Sequence, residues 1–171
     1  MSTPTAIGLD LSLTATGIAY TGGDTETIKT RTAHGDRRLR QIADTIRTII
    51  RAEHPDLAVV EDLPTHAMSA GITGMVHGCV RVVLLEEGVP YALIPPATLK
   101  AFATGKGNGD KTGMAMAAYK RAGREFGDDN QCDAWWLRHA GLDWLGVPEI
   151  VLPQAQRDRL AKAKWPAAVT T

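Results

Sequence analysis

Three acidic residues, far apart in the sequence, have the side chains and surroundings expected of metal ligands. Asp10 stands inside an apolar segment, Glu61 follows the apolar run 57–60, and Asp133 lies in a helical segment near the carboxyl end. A buried, unpaired carboxylate is costly, so Asp10 needs a compensating partner. Carboxylates brought together from separate elements repel each other, and a bound divalent cation removes that repulsion. The three acids therefore predict a site for Mg²⁺ or Mn²⁺, where a pair of ions would support phosphoryl transfer.

Two neighbours of Asp133 could complete this site. Asp129 and Asn130 precede Asp133 by four and three residues, which places them on its side of the helix. A simpler interpretation is that Asp128 and Asp129 favour the positive end of the helix dipole and that Asp133 forms a surface salt bridge. The spacing alone leaves both interpretations open.

The elements that must position these residues follow from the hydrophobic pattern. Strands are predicted over residues 5–11, 16–21, 26–32, 57–60 and 91–94, the first two forming a hairpin. Helices are predicted from Asp36, as an N-cap, to His54, and over about 70–87, 98–104, 110–121 and 128–145. This order predicts an α/β domain over residues 1–147, followed by a basic, partly ordered tail over 148–171.

Composition limits the partners and the compartment. Lys plus Arg equals Asp plus Glu at 19 each, so any anion site must be local. Positive charge concentrates in residues 31–51 and 100–124, where a solvated helix face is an equally good explanation. The two cysteines fit no disulfide or zinc pattern, and there is neither a leader-like N-terminus nor a long apolar run. We therefore expect a soluble, cytoplasmic protein with reduced thiols.

The predicted helix over 70–87 carries three glycines on one side. Gly71, Gly74 and Gly78 follow each other at three and four residues. Each glycine costs about 1 kcal/mol in a helix interior, so three on one face predict the close approach of another backbone. A second helix is the expected partner.

Three stretches resemble the acidic motifs of the RuvC family of Holliday junction resolvases, which has the RNase H-like fold. They are GLDLSLTATG over 8–17, VVEDLP over 59–64 and DDNQCDAWW over 128–136. Lys100 and Lys111 resemble two family lysines near the scissile phosphate, and the glycine-bearing helix resembles the one that pairs across the RuvC dimer. The resemblance covers about residues 5–145, and the compact size suggests a phage or mobile-element version.

The resemblance implies a fold, an activity and a set of site residues. The fold would be a mixed central sheet whose first three strands are antiparallel, with helices on both faces. The activity would be endonucleolytic cleavage of Holliday junctions or other branched DNA with two Mg²⁺ ions per site, for which Mn²⁺ substitutes. Metal ligands would be Asp10, Glu61, Asp133 and either Asn130 or Asp129. Lys111 would neutralise charge at the phosphate, and a homodimer would form through the Gly71–Gly74–Gly78 helix.

The remaining positive residues are expected to hold the DNA backbone without reading its sequence. The expected DNA-binding residues are Lys100, Lys106, Lys111, Arg37 and Arg38. The basic tail would contribute in the same way.

The chain departs from the family pattern at three places. Leu11-Ser12 replaces the usual Pro-Gly, Asn130 stands where Asp or His is common, and Pro64 takes the place of an aromatic wedge. These departures leave two alternative functions open. One is a catalytically impaired RNase H-like protein that binds nucleic acid, and the other is a broader nuclease acting on flaps or forks.

Overall fold

A mixed, five-stranded sheet forms the centre of the computed structural model, which describes residues 2–63 and 70–167. The strands are β1 Ala6–Asp10, β2 Ala15–Ala19, β3 Thr25–Lys29, β4 Leu57–Glu61 and β5 Tyr91–Ile94. Their order across the sheet is β3-β2-β1-β4-β5. The first three strands pair antiparallel, and β4 and β5 continue parallel to β1. The predicted mixed sheet with an antiparallel first half is confirmed.

Helices cover both faces of this sheet. They are α1 Arg37–Glu53, α2 Ala70–Glu86, α3 Pro96–Thr104, α4 Lys111–Ala122, α5 Asp129–Trp144 and the short α6 Gln154–Arg157. Short 3₁₀ turns cover 32–34 and 158–162. Within residues 2–63 and 70–167, no helix has the length and apolar character needed to cross a membrane.

The alternation of side chains along the strands creates two separate cores. Ile7 and Leu9 point to one face, where they pack with apolar side chains of α1 and α2. Ala6, Leu57 and Val59 point to the other face, against α3, α4 and α5. Asp10 lies four residues after Ala6 and Glu61 lies two residues after Val59, so both side chains point to this second face.

Helix α5 lies unusually close to the sheet because three contact positions are glycines. A β-carbon added to Gly8 would lie 2.7 Å from the Arg138 nitrogen and closer still to the Ala134 carbonyl oxygen. A β-carbon on Gly17 would lie 2.9 Å from that of Asn130. A β-carbon on Gly141 would in turn lie 2.7 Å from the Cγ2 of Val59. Successive residues of α5 therefore contact positions closer and closer to the start of β1, so α5 runs antiparallel to β1.

The chain after Val147 differs from the expected basic tail. Leu152 and Leu160 are buried in the core beneath α5, and Trp165 stacks on Trp144 with ring centres 5.0 Å apart. Lys164 forms a β-bridge with Leu93, which extends the sheet beyond β5. The basic residues of this segment predict a partly ordered tail, whereas its spaced apolar side chains pack against the domain.

The start of α1 and its arginine-rich face differ in detail from the expectation. Asp36 directly precedes α1 as predicted, but its side chain makes no capping hydrogen bond because its backbone is already helical, with φ −68° and ψ −15°. Part of the arginine-rich face of α1 is also engaged internally: Arg47 donates to Glu86, the last residue of α2, at 2.8 Å and to the following Glu87 at 2.9 Å. Pro64, the position of the missing aromatic wedge, lies outside the described residues.

Candidate active site

The register of the parallel strands places Asp10 and Glu61 side by side. Leu9 is aligned with Val60, so the next residue of each strand, Asp10 and Glu61, ends the ladder at the same edge. Both side chains point toward α5, because Gly8 and Val59, two residues earlier in each strand, face that helix. The carboxyl ends of β1 and β4 thus supply two acids to one edge of the sheet.

The first turns of α5 arrive at this same edge. Gly17 is paired with Asp10 across the hairpin and lies against the Asn130 backbone. Asp128 fixes the start of α5: its carboxylate accepts from the Gln131 amide at 3.0 Å and from the Thr27 hydroxyl of β3 at 2.7 Å. Asp133 follows one turn later on the side that faces the strand ends.

Burial and neighbouring charges disfavour the ionised form of each of the three acids. Burial and the Asp133 carboxylate raise the pKa of Asp10 to about 7. Burial, Asp10 and Asp133 raise the pKa of Glu61 to about 8. Burial and Asp129 raise the pKa of Asp133 to about 6. Each carboxylate is therefore disfavoured in its charged form by lost hydration and by its neighbours, which is the environment a multivalent cation relieves.

Two predicted lysines stand beside the acids. Lys111, the first residue of α4, forms an ion pair with Asp129, and its charge lowers the pKa values of Asp10 and Asp133. Lys100 of α3 lowers those of Glu61 and Asp133. The lysine charges do not cancel the effects of burial and of the neighbouring acids, because the pKa values of all three acids remain raised.

Other predicted residues lie away from this group. Lys106 is exposed in the loop between α3 and α4, and Arg37 and Arg38 begin α1 on the opposite face of the sheet. Asn130 is half-buried and Asp129 is engaged by Lys111. Within the part of the chain that the structure describes, no three Asp, Glu, His or Cys side chains already converge tightly enough to hold one ion. The acids are thus electrostatically coupled neighbours rather than a closed cage, but their donor chemistry fits divalent cations.

The coupled acids predict a pH-dependent stability in the absence of metal. Acids whose folded-state pKa values are raised bind more protons when folded, so their contribution to stability is lost as pH rises from about 4 to about 8. In EDTA at pH 8.5, Asp10→Asn should therefore raise the melting temperature, by roughly 3–10 °C for 1–3 kcal/mol. The gain should shrink at pH 5, and added Mg²⁺ should stabilise the parent chain more than the variant.

Asp36→Asn is the matched control for that experiment, since Asp36 is exposed and its side chain makes no capping hydrogen bond. It should leave the melting temperature unchanged at both pH values. A parent chain whose stability in EDTA rose between pH 5 and 8.5, or an Asp10→Asn variant that melted lower at pH 8.5, would contradict the electrostatic account.

Comparison with known proteins decides the family. The sequence model of the protein family described as crossover junction endodeoxyribonuclease RuvC matches residues 8–120, well over half of the chain. The chain belongs to the RuvC family. The match includes Asp10, Glu61 and Lys111 but ends before α5, so the role of Asp133 rests on its position in the fold.

Individual relatives agree with this assignment. The chain is 36% identical over 81 residues to the crossover junction endodeoxyribonuclease RuvC of Sorangium cellulosum, covering 46% of this chain and 45% of that protein. It is 33% identical over 89 residues to that of Synechococcus sp., covering 52% of this chain and 58% of that protein. The chain thus spans about half the length of the curated relatives it matches.

A solved structure establishes the fold. The structure of Thermus thermophilus RuvC in complex with a Holliday junction substrate superimposes with a TM-score of 0.71 at 20% sequence identity. The alignment covers 86% of this chain and 99% of that chain. The predicted RNase H-like fold of the RuvC family is therefore confirmed.

The structure also explains one departure from the RuvC family pattern and adds a residue that the sequence did not indicate. Ser12 closes the β1–β2 turn, donating from its hydroxyl to the Ala15 carbonyl at 2.9 Å and accepting from the Ala15 amide at 3.0 Å. Lys164 donates to Asp62, the neighbour of Glu61, at 2.9 Å. Thr16 also bonds to the backbone of Ser12, so the spacing of Ser12 and Thr16 was a local signal for the turn. No local signal in the sequence links Asp62 and Lys164.

Proposed function

We propose that this chain is a metal-dependent endonuclease that cleaves Holliday junctions or other branched DNA. The observation that carries the proposal is the grouping of Asp10, Glu61 and Asp133 from β1, β4 and α5 at one edge, with pKa values raised by burial and by neighbouring carboxylates. Membership of the RuvC family and the activity after which its relatives are named support the same reaction. The proposed setting is a bacterial or phage-infected cytoplasm.

Asp10, Glu61 and Asp133, with Asn130 or Asp129, would hold two Mg²⁺ ions, and Mn²⁺ would substitute. When bound, such ions supply the positive charge that activates an attacking water and stabilises the departing 3′ oxygen. The chain's own residues orient the scissile phosphate at the sheet edge. Lys111 is already held at this edge by Asp129, so its ammonium group would face the phosphate without a large loss of side-chain freedom. Lys100 would add a second positive charge, and Lys106, Arg37 and Arg38 would contact the backbone further out.

A labelled substrate panel tests the function directly. Four-way junctions, flaps, forks and linear duplex are incubated with Mg²⁺, with Mn²⁺ and with EDTA. We expect metal-dependent nicks in the junctions that leave 5′-phosphate and 3′-hydroxyl ends. Equal cutting of flaps and forks would favour the broader nuclease, and junction binding without nicking in either metal would favour the impaired binding protein.

We also propose that the chain acts as a homodimer through α2. Gly71, Met75, Gly78, Val82 and Leu85 recur at four and three residues and are all exposed, with Val82 and Leu85 52% and 68% accessible. β-Carbons added to Gly71 and Gly78 would meet no atom within 4 Å, so contacts inside the described chain do not explain these glycines. This spacing is the seam used when two helices pack together. A two-fold axis there would place two sites on the symmetric strands of a junction.

Val82→Glu should convert the dimer to a monomer, because it buries two unpaired carboxylates at the proposed contact. Sedimentation velocity measures the change, and paired nicking of a junction should become uncoupled. Val151→Glu is the matched control, since Val151 is 91% exposed in the segment before α6. A parent chain that sediments as a monomer, or a Val82→Glu variant that stays dimeric, would overturn the α2 interface.

A further inference from the structure

A cavity of about 560 Å³ opens beside the acids, between α4 and the segment that leads into α5. We propose that it receives the base of the nucleotide next to the scissile phosphate, so that this pocket reads the cut strand. The inference rests on the proposed nuclease function and adds a binding site to it. We call this cavity the base pocket, with Thr112, Met116 and Tyr119 on its α4 wall and Arg124, Phe126 and Asp128 on the other.

Position is the first argument. Lys111 and Asp129, whose ion pair lies at the edge of the sheet, also line the base pocket. The charges of both act on Asp10, so the pocket begins where the group of acids ends. A phosphate held by the acids would have its neighbouring nucleotide within reach of the opening.

The chemistry of the walls is the second argument. Tyr119 and Met116 leave 54% and 47% of their surfaces exposed on consecutive turns of one helix face. Opposite them, the Arg124 guanidinium lies over the Phe126 ring, 5.8 Å from its centre. Aromatic rings and guanidinium planes are the groups on which unpaired bases stack in single-strand binding proteins.

The polar groups around the pocket fit a base better than an apolar ligand. The Nε atom of Arg124 is buried without a hydrogen-bond partner among the described residues, whereas its Nη2 donates to Thr25 at 3.3 Å. Asp128 is satisfied by Gln131 and Thr27. The wall of the pocket therefore carries a guanidinium group beside apolar stacking surfaces, and its volume falls in the range of small-molecule binding sites.

Binding of junctions with a single missing base provides the test. In an Asp10→Asn background with EDTA, Kd is measured for intact junctions and for junctions with an abasic site on the 5′ or the 3′ side of the mapped cut. We expect one of these abasic sites to weaken binding by about 5- to 100-fold, the range that base stacking on an aromatic side chain supports. Tyr119→Ala should weaken binding to the intact junction similarly and cause no further loss on that abasic junction.

Two controls keep this result specific. Tyr119→Phe should retain the stacking surface and bind as the parent does, and Tyr20→Ala, directly after β2 and away from the pocket, should leave the abasic effect unchanged. Losses that simply add, or no loss with either abasic junction, would overturn the base pocket while leaving junction cleavage standing. A parent chain that neither binds nor nicks any branched substrate would overturn the proposed function and this inference together.

Discussion

Asp10→Asn is expected to lower the rate of junction cleavage by on the order of 1,000-fold or more while junction binding in EDTA is retained or improved. Asparagine keeps the shape of the side chain but removes one negative charge from the group of three acids. Such a loss of rate corresponds to about 4 kcal/mol of transition-state stabilisation, a reasonable share for a charged ligand of two divalent cations. Binding should not suffer, because the removed charge repels the DNA phosphate whenever no cation is present.

Single-turnover cleavage and gel-shift titration measure the two effects separately. Asp36→Asn, which changes an exposed acid at the start of α1, controls for the change in net charge. It should cleave at the parental rate. An Asp10→Asn variant that cut junctions at a rate near that of the parent would remove the assignment of the site, whatever its binding.

Gly8→Ala is expected to destabilise the fold by about 3 kcal/mol or more, which lowers the melting temperature by roughly 6–12 °C. The new methyl group would collide with backbone atoms of Ala134 and Arg138, and helix backbone cannot rotate away as a side chain can. To accept it, α5 must move off the sheet and take Asp133 with it. The variant should therefore also lose metal-dependent nicking at temperatures where it is still folded.

Gly22→Ala is the matched control, because a β-carbon at Gly22 in the β2–β3 turn meets nothing within 4 Å. Replacing an unconstrained glycine by alanine typically changes stability by less than about 1 kcal/mol. Thermal unfolding with circular dichroism compares the two variants. Equal melting temperatures for Gly8→Ala and Gly22→Ala would show that α5 does not press on β1 as described.

The sequence predicted the strands and the edge that carries two acids because these depend on local alternation. Ile7 and Leu9 alternate with Gly8 and Asp10, and the shortness of the apolar run that ends at Glu61 favours a buried strand. Boundaries were less accurate: β3 ends at Lys29 rather than residue 32, because the chain leaves the ladder to form the 3₁₀ turn at 32–34. The presence of the helices could likewise be predicted from the spacing of apolar residues and from Gly and Pro at the helix ends.

What the sequence did not disclose depends on contacts between distant elements. Glycine weakens the interior of a strand, and only the approach of α5 shows why a side chain is excluded at Gly8 and Gly17. The engagement of Arg47 by α2 and of Lys164 by Asp62 joins residues separated by 39 and 102 positions, and charge patterning cannot choose such partners. The burial of Leu152 and Leu160 could not be predicted for the same reason, since it depends on contacts with α5.

The β-bridge between Leu93 and Lys164 has a practical consequence for anyone who shortens this chain. An uncovered strand edge presents unpaired amide and carbonyl groups that recruit strands from other molecules. A fragment ending near residue 147 would uncover part of the β5 edge and also the apolar surface beneath Leu152 and Leu160. Such a fragment would self-associate through sheet extension, and oligomers seen with it would say nothing about pairing through α2.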